Sequence, residues 1–295
     1  MSPRWFDESE IARLLPMRDA VDAVEAALLG GLDPAADPPR DVVGVAGGQL
    51  LLMPSETGGR VGVKVATVTP ANPARGLPRV QATYVLLDAR THAPLALLDG
   101  VAVTSLRTPA VSAVAARHLA RPDASRLVVF GTGPQAAGHV EALRAVRPIA
   151  EVRVVGRDPG RTRAFAEAAG GTVGTPDDVA GADVVVCATT ATEPLFPGAA
   201  VPDGCCVIAV GSHEPHVREL DAALMARATV VVEDRATALR EAGDVILAGL
   251  APADLVGLAD LVRTGVSGEA PRVFKSVGMA WQDLVVATEL HRRAV

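Results

Sequence analysis

The chain has 295 residues, 49% of them hydrophobic and 21% charged, a balance that is typical of globular proteins and excludes disorder as the main state. The net charge of −6 argues against a nucleic-acid partner. The sequence has no run of about 18 apolar residues, so a membrane span is not expected. The length corresponds to one large or two medium domains.

The cysteines and the N-terminus point to the same compartment. Cys187, Cys205 and Cys206 are odd in number and include an adjacent pair, which does not suit a disulfide framework. No cluster of Cys and His has metal-ligand spacing, so no metal site is expected. The first ten residues are polar and lack the apolar core of a signal peptide. We therefore expect a cytoplasmic protein.

The first hundred residues predict a mixed sheet with N-terminal helices. Apolar residues at helical spacing predict a helix over 18–29, which ends at two glycines. β-rich segments separated by Pro, Gly and Asn turns follow at 49–53, 61–68, 80–87 and 94–98. A long helix rich in alanine and valine is then predicted over 104–120.

From residue 126 onward, apolar strands and helices alternate. Strands are predicted at 127–130, 152–155, 184–187, 206–210 and 229–233, and helices at 135–145, 161–168, 220–227 and 236–242. This order predicts βαβ units and a parallel sheet covered on both faces. Loops follow after residue 250, and a last helix is predicted over 279–292.

These patterns predict an α/β protein with two domains. A Rossmann-type, doubly wound parallel sheet is expected over 116–269. A C-terminal helix after a nucleotide-binding domain often returns to the first domain. We therefore predict a discontinuous α+β domain, formed by 1–115 and 270–295.

A glycine-rich turn links the first strand of the predicted Rossmann domain to its helix. The residues GTGPQA at 131–136 follow the strand directly. Gly131 allows a tight turn, Gly133 lets the backbone approach a diphosphate, and Ala136 permits close helix–strand contact. The helix N-terminus adds free N–H donors and the positive end of its dipole. We predict a dinucleotide site at Gly131, Thr132, Gly133, Pro134 and Gln135.

The end of the second strand bears on the choice of cofactor. An NAD-binding protein usually places an acidic residue there, which accepts a hydrogen bond from the ribose 2′-hydroxyl. Here Gly156 occupies that position, with Arg157 next and Arg161 one turn on, and guanidinium groups suit a 2′-phosphate. NADP(H) is therefore preferred over NAD(H). A shift in register would instead make Asp158 the ribose ligand.

Three cations of the non-Rossmann part form a candidate anion site. Arg40, Lys64 and Arg107 have no obvious acidic partner at helical spacing, and such a cluster suits a small carboxylate. Taken one at a time, each residue is more often a surface or salt-bridged cation. Lysine is rare here: only Lys64 and Lys275 occur among the 28 basic residues. A lysine retained in so arginine-rich a chain is a candidate for a role that needs an amine.

A family resemblance emerges from many ordered matches between about residue 40 and the last helix. The chain resembles the ornithine cyclodeaminase/mu-crystallin family. The matching stretches are GVK at 62–64, NP at 72–73 with GLP at 76–78, LD at 87–88 with PLA at 94–96, TSLRTPAVSA at 104–113, GTGPQA at 131–136, AVGS at 209–212, RELD at 218–221 and FKSVGMA at 274–280. The resemblance implies a homodimer that acts on a small α-amino or α-imino acid. It also implies that the discontinuous domain binds substrate and dimerises, and that the Rossmann domain binds NAD(P).

The resemblance also implies roles for individual residues. Arg40, Lys64 and Arg107 match positions that bind the substrate carboxylate, and the matching lysine is also a candidate for proton transfer. Ser276 and Gly278 match a segment that meets the nicotinamide end of the cofactor. Further cofactor contacts are expected where parallel strands end, the usual ligand edge of such sheets. These are Ala188, Thr189, Thr190 and Val210.

One departure from the family pattern bears on the reaction. Cyclodeaminases of this family carry an Asp in a Gly-Gly-Asp stretch, and His213 stands at that position here. An imidazole cannot replace a fixed carboxylate that attracts an ammonium group. The stretches at 191–195 and 239–245 resemble the ketimine reductase branch. We therefore expect NADPH to reduce a cyclic ketimine of the Δ1-pyrroline-2-carboxylate or Δ1-piperideine-2-carboxylate type.

Several alternatives remain open at this point. An acid near the imine would assist hydride transfer, and His213 and Asp244 are the candidates. The rival activities are an ornithine cyclodeaminase that recycles NAD internally, an amino-acid dehydrogenase such as an alanine dehydrogenase, and a non-catalytic protein that binds NADPH. Neither a nucleic acid nor a membrane is expected as a partner.

Overall fold

Two separate cores organise the chain in the computed structural model, which describes residues 3–294. One unit is formed by the described residues up to Thr108 together with those from Met279 onward. The other unit is formed by Pro109–Gly278. The expected α/β architecture with a Rossmann-type parallel sheet is confirmed.

The discontinuous unit is a six-stranded sheet with helices, its elements being numbered in chain order through the whole protein. Its strands are β1 (Arg4–Phe6), β2 (Asp41–Val45), β3 (Gly48–Thr57), β4 (Arg60–Val68), β5 (Val80–Asp88) and β6 (Pro94–Asp99). Its helices are α1 (Glu8–Leu14), α2 (Met17–Leu29), the first half of α3 (Gly100–Leu119) and the last helix, α10 (Ala280–Ala294). The strand order is β1-β6-β5-β4-β3-β2, antiparallel except for the β1–β6 pair.

Strict alternation along the central strands of this sheet creates one buried face. On β4 the residues Gly62, Lys64 and Ala66 are buried while their neighbours are partly exposed. The registers place Met53 of β3 and Tyr84 of β5 beside Lys64 on that face. Helix α10 packs on β3, β4 and β5. A lysine at a core position of a strand therefore faces the inner side of a helix.

The second unit contains an eight-stranded parallel sheet. Its strands are β7 (Arg126–Phe130), β8 (Glu151–Val155), β9 (Thr172–Val173), β10 (Val184–Cys187), β11 (Cys206–Ala209), β12 (Thr229–Val232), β13 (Leu255–Gly257) and β14 (Arg272–Lys275). Its helices are α4 (Pro134–Val146), α5 (Pro159–Ala168), α6 (Ala222–Arg227), α7 (Arg235–Glu241), α8 (Gly243–Ile246) and α9 (Leu258–Thr264). The order is β13-β12-β14-β11-β10-β7-β8-β9.

The region after residue 250 differs from the sequence-based prediction of loops. It contains β13, α9 and β14, and β14 lies between β11 and β12 in the middle of the sheet. The run RVFK is too short to show a period, so only pairing with its neighbours makes it a strand. Because β14 belongs to the parallel sheet, the second unit extends to Gly278, whereas the sequence placed the boundary at 269/270.

The three cysteines are free and buried in the second unit. Burial raises the pKa of each thiol, so none is activated as a thiolate at neutral pH. Within the described chain, no helix is long and apolar enough to cross a membrane. In the same residues, no group of three or more His, Cys, Asp or Glu is placed to hold a metal ion.

The central position of β14 gives a stability prediction. Phe274 is fully buried within the sheet layer, so F274A is expected to lower the free energy of unfolding by about 3–5 kcal/mol through lost contacts and a cavity. Leu247 of the same unit is 46% exposed, and L247A should change stability by less than about 0.5 kcal/mol. Urea unfolding followed by circular dichroism compares the two variants, and equal losses would place β14 outside the core.

Candidate active site

The predicted carboxylate-binding cations meet in the discontinuous unit. Lys64 is 3% exposed on β4, and Arg107 is buried on α3. Arg40 is partly buried just before β2, and its charge acts on Lys64. The structure therefore brings the three cations into one electrostatic neighbourhood, although they are widely separated along the chain.

A carboxylate that sequence reasoning missed joins two of these cations. Asp283 of α10 is fully buried, and Lys64 Nζ donates to its two oxygens at 2.8 and 3.0 Å. Arg107 Nε lies 3.3 Å from Asp283 Oδ1. The guanidinium also donates a short hydrogen bond to the side-chain oxygen of Gln282. The available signal was an acid on an apolar helical face, since Asp283 lines up with Ala287 and Leu290.

Burial sets the charge behaviour of Lys64. Desolvation lowers the pKa of its ammonium to about 8, and the charges of Arg107 and Arg40 act in the same direction. Asp283 opposes these effects by charge and by hydrogen bonding. Lys64 Nζ also donates to Thr104 Oγ1 at 3.2 Å. The lysine is therefore charged at neutral pH and loses its proton in the weakly alkaline range.

Two further groups surround this cluster. Tyr84 lies opposite Lys64 on β5, and burial raises the pKa of its hydroxyl well above the usual value. Gly62 makes room for this ring, because a Cβ there would lie 2.0 Å from the Tyr84 oxygen. Asp37 accepts from Ser55 Oγ at 2.5 Å and from the backbone N–H of Trp281 at 2.6 Å. These contacts attach the start of α10 to the sheet.

The glycine turn of the second unit has the geometry that a diphosphate site requires. Gly131 has φ = 116°, and a Cβ there would lie 2.3 Å from the carbonyl oxygen of Ala188, so only glycine fits. An added Cβ at Gly133 would meet nothing within 4 Å, which leaves its backbone approachable. Gly133 caps α4 without a side-chain hydrogen bond, so the first N–H groups of that helix are free. The side-chain oxygen of Gln135 is buried without a hydrogen-bond partner.

The contacts at the end of β8 distinguish Asp158 from Gly156 and Arg157. Asp158 is the N-cap of α5 and accepts from Arg161 N at 2.8 Å, so its carboxylate is engaged in capping. Gly156 lies against Thr132 of the glycine turn, with 3.1 Å between an added Cβ and the threonine methyl carbon. Arg157 is exposed and donates to Thr190 Oγ1 at 3.4 Å. Gly156 therefore lies beside the glycine turn, and Arg157 contacts the loop after β10.

Two buried carboxylates, which sequence reasoning also missed, organise the loops at the carboxyl ends of the strands. Glu219 accepts from Thr189 N, from Thr189 Oγ1 and from Gly211 N at 2.7–2.9 Å, which joins the loops after β10 and β11. The sequence feature that could have indicated Glu219 is the RELD stretch at 218–221, which matches the family. Burial raises the pKa of Glu219, although Lys275 and these donors favour its charged form. Val210, next to Gly211, is partly buried.

Glu233 fixes the segment after β14 in the same way, by accepting hydrogen bonds from it. It accepts from Ser276 Oγ at 2.7 Å and from the backbone N–H groups of Val277 and Gly278 at 2.9–3.2 Å. The hydroxyl of Ser276 and the N–H of Gly278 are thus held by this carboxylate. The sequence offered no signal for Glu233, because its role depends on β12 and β14 being adjacent.

The two predicted acids, Asp244 and His213, differ in their burial and contacts. Asp244 is 1% exposed, accepts from Glu219 N and Leu220 N at 2.8 and 2.9 Å, and lies 2.9 Å from Lys275 Nζ. These contacts give Asp244 and Lys275 a structural role and leave no support for a catalytic Asp244. His213 is exposed in the loop after β11.

A buried histidine connects α4, the helix after the glycine turn, to α3. His139 of α4 lies 2.7 Å from the carbonyl oxygen of Gln135 through Nδ1, and 2.9 Å from Ser112 Oγ through Nε2. A carbonyl only accepts, so Nδ1 carries the proton and Nε2 accepts from the serine hydroxyl. Burial lowers the pKa of His139 to about 4. A neutral imidazole therefore anchors the first turns of α4.

This histidine predicts acid sensitivity. The folded protein resists protonation until about pH 4, whereas the unfolded chain binds the proton near pH 6.5, so His139 lowers stability as pH falls from about 6.5 to about 4. The loss should reach about 3 kcal/mol. Unfolding free energies of the wild type and of H139Q across this range test the prediction, since the variant should lack this component. Parallel pH curves for both proteins would contradict it.

Comparisons with known proteins agree with this geometry. A Δ1-pyrroline-2-carboxylate reductase of Bacillus cereus is 37% identical over 265 residues, which cover 83% of this chain and 81% of that protein. The structure of Thermococcus litoralis Δ1-pyrroline-2-carboxylate reductase with NADH and L-proline has a TM-score of 0.91 at 30% identity, covering 99% and 97% of the two chains.

A further similar structure is an archaeal alanine dehydrogenase dimer with bound NAD, at 29% identity and a TM-score of 0.93, covering 100% of this chain and 96% of that one. The family model described as ornithine cyclodeaminase/mu-crystallin matches residues 5–295. Together with the cation cluster and the glycine turn, these matches show that the chain belongs to the ornithine cyclodeaminase/mu-crystallin family.

Proposed function

We propose that this protein is an NADPH-dependent reductase of a small cyclic ketimine of the Δ1-pyrroline-2-carboxylate or Δ1-piperideine-2-carboxylate type. The observation that carries the proposal is the buried pair of cations, Lys64 and Arg107, in a chain whose other unit has a dinucleotide turn. The similarity to two Δ1-pyrroline-2-carboxylate reductases supports the substrate class. The product is the corresponding cyclic amino acid.

The chain's own residues position the substrate. The Arg107 guanidinium and the Lys64 ammonium bind the carboxylate, and Arg40 adds a third positive charge. Fixing the carboxylate restricts the rotation of the ring, so orientation contributes much of the rate enhancement. When bound, the nicotinamide cofactor supplies the hydride. Lys64 Nζ holds a proton at neutral pH and is therefore the proposed donor to the imine nitrogen.

The cofactor preference rests on the end of β8. The side chains of Arg157 and Arg161 are exposed there, and Asp158, the acid between them in the chain, is engaged in capping α5. A ribose 2′-phosphate suits this arrangement better than a free 2′-hydroxyl. The glycine turn, Thr189, Thr190 and the segment from Ser276 to Gly278 are the proposed contacts of the rest of the cofactor, with NADH as a weaker substitute.

We further propose a cytoplasmic homodimer. The three buried, free cysteines suit a reducing compartment. The edge strand β2 exposes Val42, Val43 and Val45, and an uncovered apolar edge favours association with a second copy of the chain. The similar archaeal alanine dehydrogenase is a dimer.

The similarity to that alanine dehydrogenase makes an amino-acid dehydrogenase the second candidate function. Such an enzyme would start from a keto acid and ammonia, whereas a ketimine reductase uses an imine that has already formed. The absence of a carboxylate at position 213 disfavours the cyclodeaminase reaction.

The reaction is tested with a panel of cyclic imines, and of keto acids with ammonia, each with NADPH and followed by nicotinamide absorbance. A five- or six-membered cyclic imino acid should be reduced fastest. K64M should lower kcat/KM about 100-fold, because a partner of the carboxylate is lost, and R75M, which removes an exposed cation, should not. Faster turnover of a keto acid with ammonia would favour the dehydrogenase, and ammonia release from ornithine without net NADPH loss would favour the lyase.

The same assay has a predicted pH dependence. The Lys64 ammonium is present below its pKa of about 8 and is lost above it, so kcat/KM for the imine should fall as pH rises through that value. The fall should appear both in KM for the imine, because Lys64 binds the carboxylate, and in kcat, because Lys64 donates the proton. The KM for NADPH should not follow it. A flat profile from pH 7 to 9.5 would contradict the role of Lys64.

Cofactor preference is tested with R157A. Loss of a guanidinium that binds a 2′-phosphate should lower kcat/KM for NADPH about tenfold or more and leave the value for NADH unchanged. R163A is the matched control, because Arg163 is exposed on the neighbouring helix, α5. Equal losses with both cofactors would show that Arg157 does not read the 2′-phosphate.

A further inference from the structure

Two cations that repel each other are buried around a single anion in the discontinuous unit. The side chains of Lys64 and Arg107 are 4% and 7% exposed, and that of Asp283 is not exposed at all. Removing such charges from water costs several kcal/mol per ion unless a partner compensates them. Asp283 is the one acid that an ion pair joins to both cations within residues 3–294.

We propose that Asp283 is a positioning residue of the substrate site: its carboxylate holds the Lys64 ammonium and the Arg107 guanidinium side by side, ready to bind a substrate carboxylate. This inference rests on the proposed function and deepens it. Asp283 acts through the two cations and needs no contact with the reacting atoms. Gln282, the preceding residue, fixes the orientation of Arg107 by accepting from its Nη1.

The charges around Lys64 explain why this partner matters. The charge of Arg107, on α3, disfavours the protonated form of Lys64. Arg40, in the segment before β2, has the same effect. Opposite it on β5, Tyr84 stays neutral because burial raises the pKa of its hydroxyl. Asp283 on α10 is the acid whose charge and hydrogen bonds favour the protonated form of Lys64.

Asp37 is a second acid near this site. Its carboxylate accepts from Ser55 Oγ and Trp281 N, and burial raises its pKa, so it is a weaker anion than an exposed aspartate. Lys64 and Arg107 together carry one positive charge more than the Asp283 carboxylate that pairs with both. A monocarboxylate substrate reduces that excess. The arrangement therefore favours a substrate with one carboxylate.

The small number of lysines permits a direct test without turnover. The chain contains only Lys64 and Lys275, so the full-length protein labelled with [ε-13C]lysine gives two lysine signals, and K64M assigns them. In the wild type the Lys64 signal should titrate near pH 8. In D283N the midpoint should fall by about one pH unit or more, because the favourable charge is gone. Lys275 pairs with Asp244 and not with Asp283, so its signal should have the same chemical shift in D283N and in the wild type and serves as the internal control.

Three further measurements complete the experiment. D283E keeps the charge and should retain a midpoint near that of the wild type, while Q282L removes only the neutral acceptor and should leave the Lys64 midpoint in place. Addition of L-proline, a small amino acid with one carboxylate, should raise the midpoint of D283N again. As pH rises, kcat/KM for the imine should begin to fall at a lower pH in D283N than in the wild type. Near pH 6, where Lys64 of D283N is protonated, part of the lost activity should return.

The outcomes separate this inference from the proposed function. An unchanged Lys64 midpoint in folded D283N would overturn the role of Asp283, whatever the enzyme reduces. A shifted midpoint in a protein that reduces no imine would support Asp283 and refute the reductase. If D283N does not fold, the double variant K64M/D283N should recover stability, because no unpaired lysine charge is left buried. Failure of the double variant to exceed D283N in stability would overturn the proposal.

Discussion

A buried charge must have a partner, and this requirement shapes both units of the protein. Each of the two lysines is buried and each faces a buried aspartate: Lys64 faces Asp283, and Lys275 faces Asp244. Loss of one partner would leave an uncompensated charge in a medium of low dielectric constant, which is far less favourable than either the intact pair or two apolar residues. The two pairs therefore favour one register of α10 on its sheet and one placement of α8 beside β14.

The two pairs serve different ends because their surroundings differ. Lys64 has further cations around it and donates to the polar side chain of Thr104. The cations favour the binding of an anion at this cluster. Lys275 and Asp244 form their hydrogen bonds with the protein backbone. The Lys275 ammonium donates to the carbonyl oxygen of Ser212, and Asp244 accepts from two backbone N–H groups. The first pair suits binding, and the second suits stability.

Buried carboxylates also organise the loops of the parallel sheet. Backbone N–H groups that leave the sheet at a strand end have lost their ladder partners and need other acceptors. Glu219 and Glu233 provide them for the segments around Thr189, Gly211 and Gly278. Loops fixed in this way need little reordering when a ligand binds, which lowers the entropic cost of binding.

Local patterns allowed much of the fold to be predicted. The alternation of β4, the periodicity of α2 and the glycine turn at 131–136 are visible because each depends on residues close in the chain. The strand β14 escaped prediction because four residues carry no period, and its place depends on β11 and β12. The assignments of His213 and Asp244 as acids rested on their positions along the chain, and the structure shows one exposed and the other fully engaged.

The sequence by itself determined the fold class and the glycine turn, because chain-local spacing and residue chemistry are enough to indicate them. It indicated the cations Arg40, Lys64 and Arg107 through the resemblance of their surrounding motifs to the family. Only the tertiary structure decided which groups compensate those charges. Asp283 is 219 residues from Lys64 along the chain, and no periodicity connects residues so far apart. The contact exists because α10 packs over the central strands of the sheet, and long-range packing of this kind is set by the whole core.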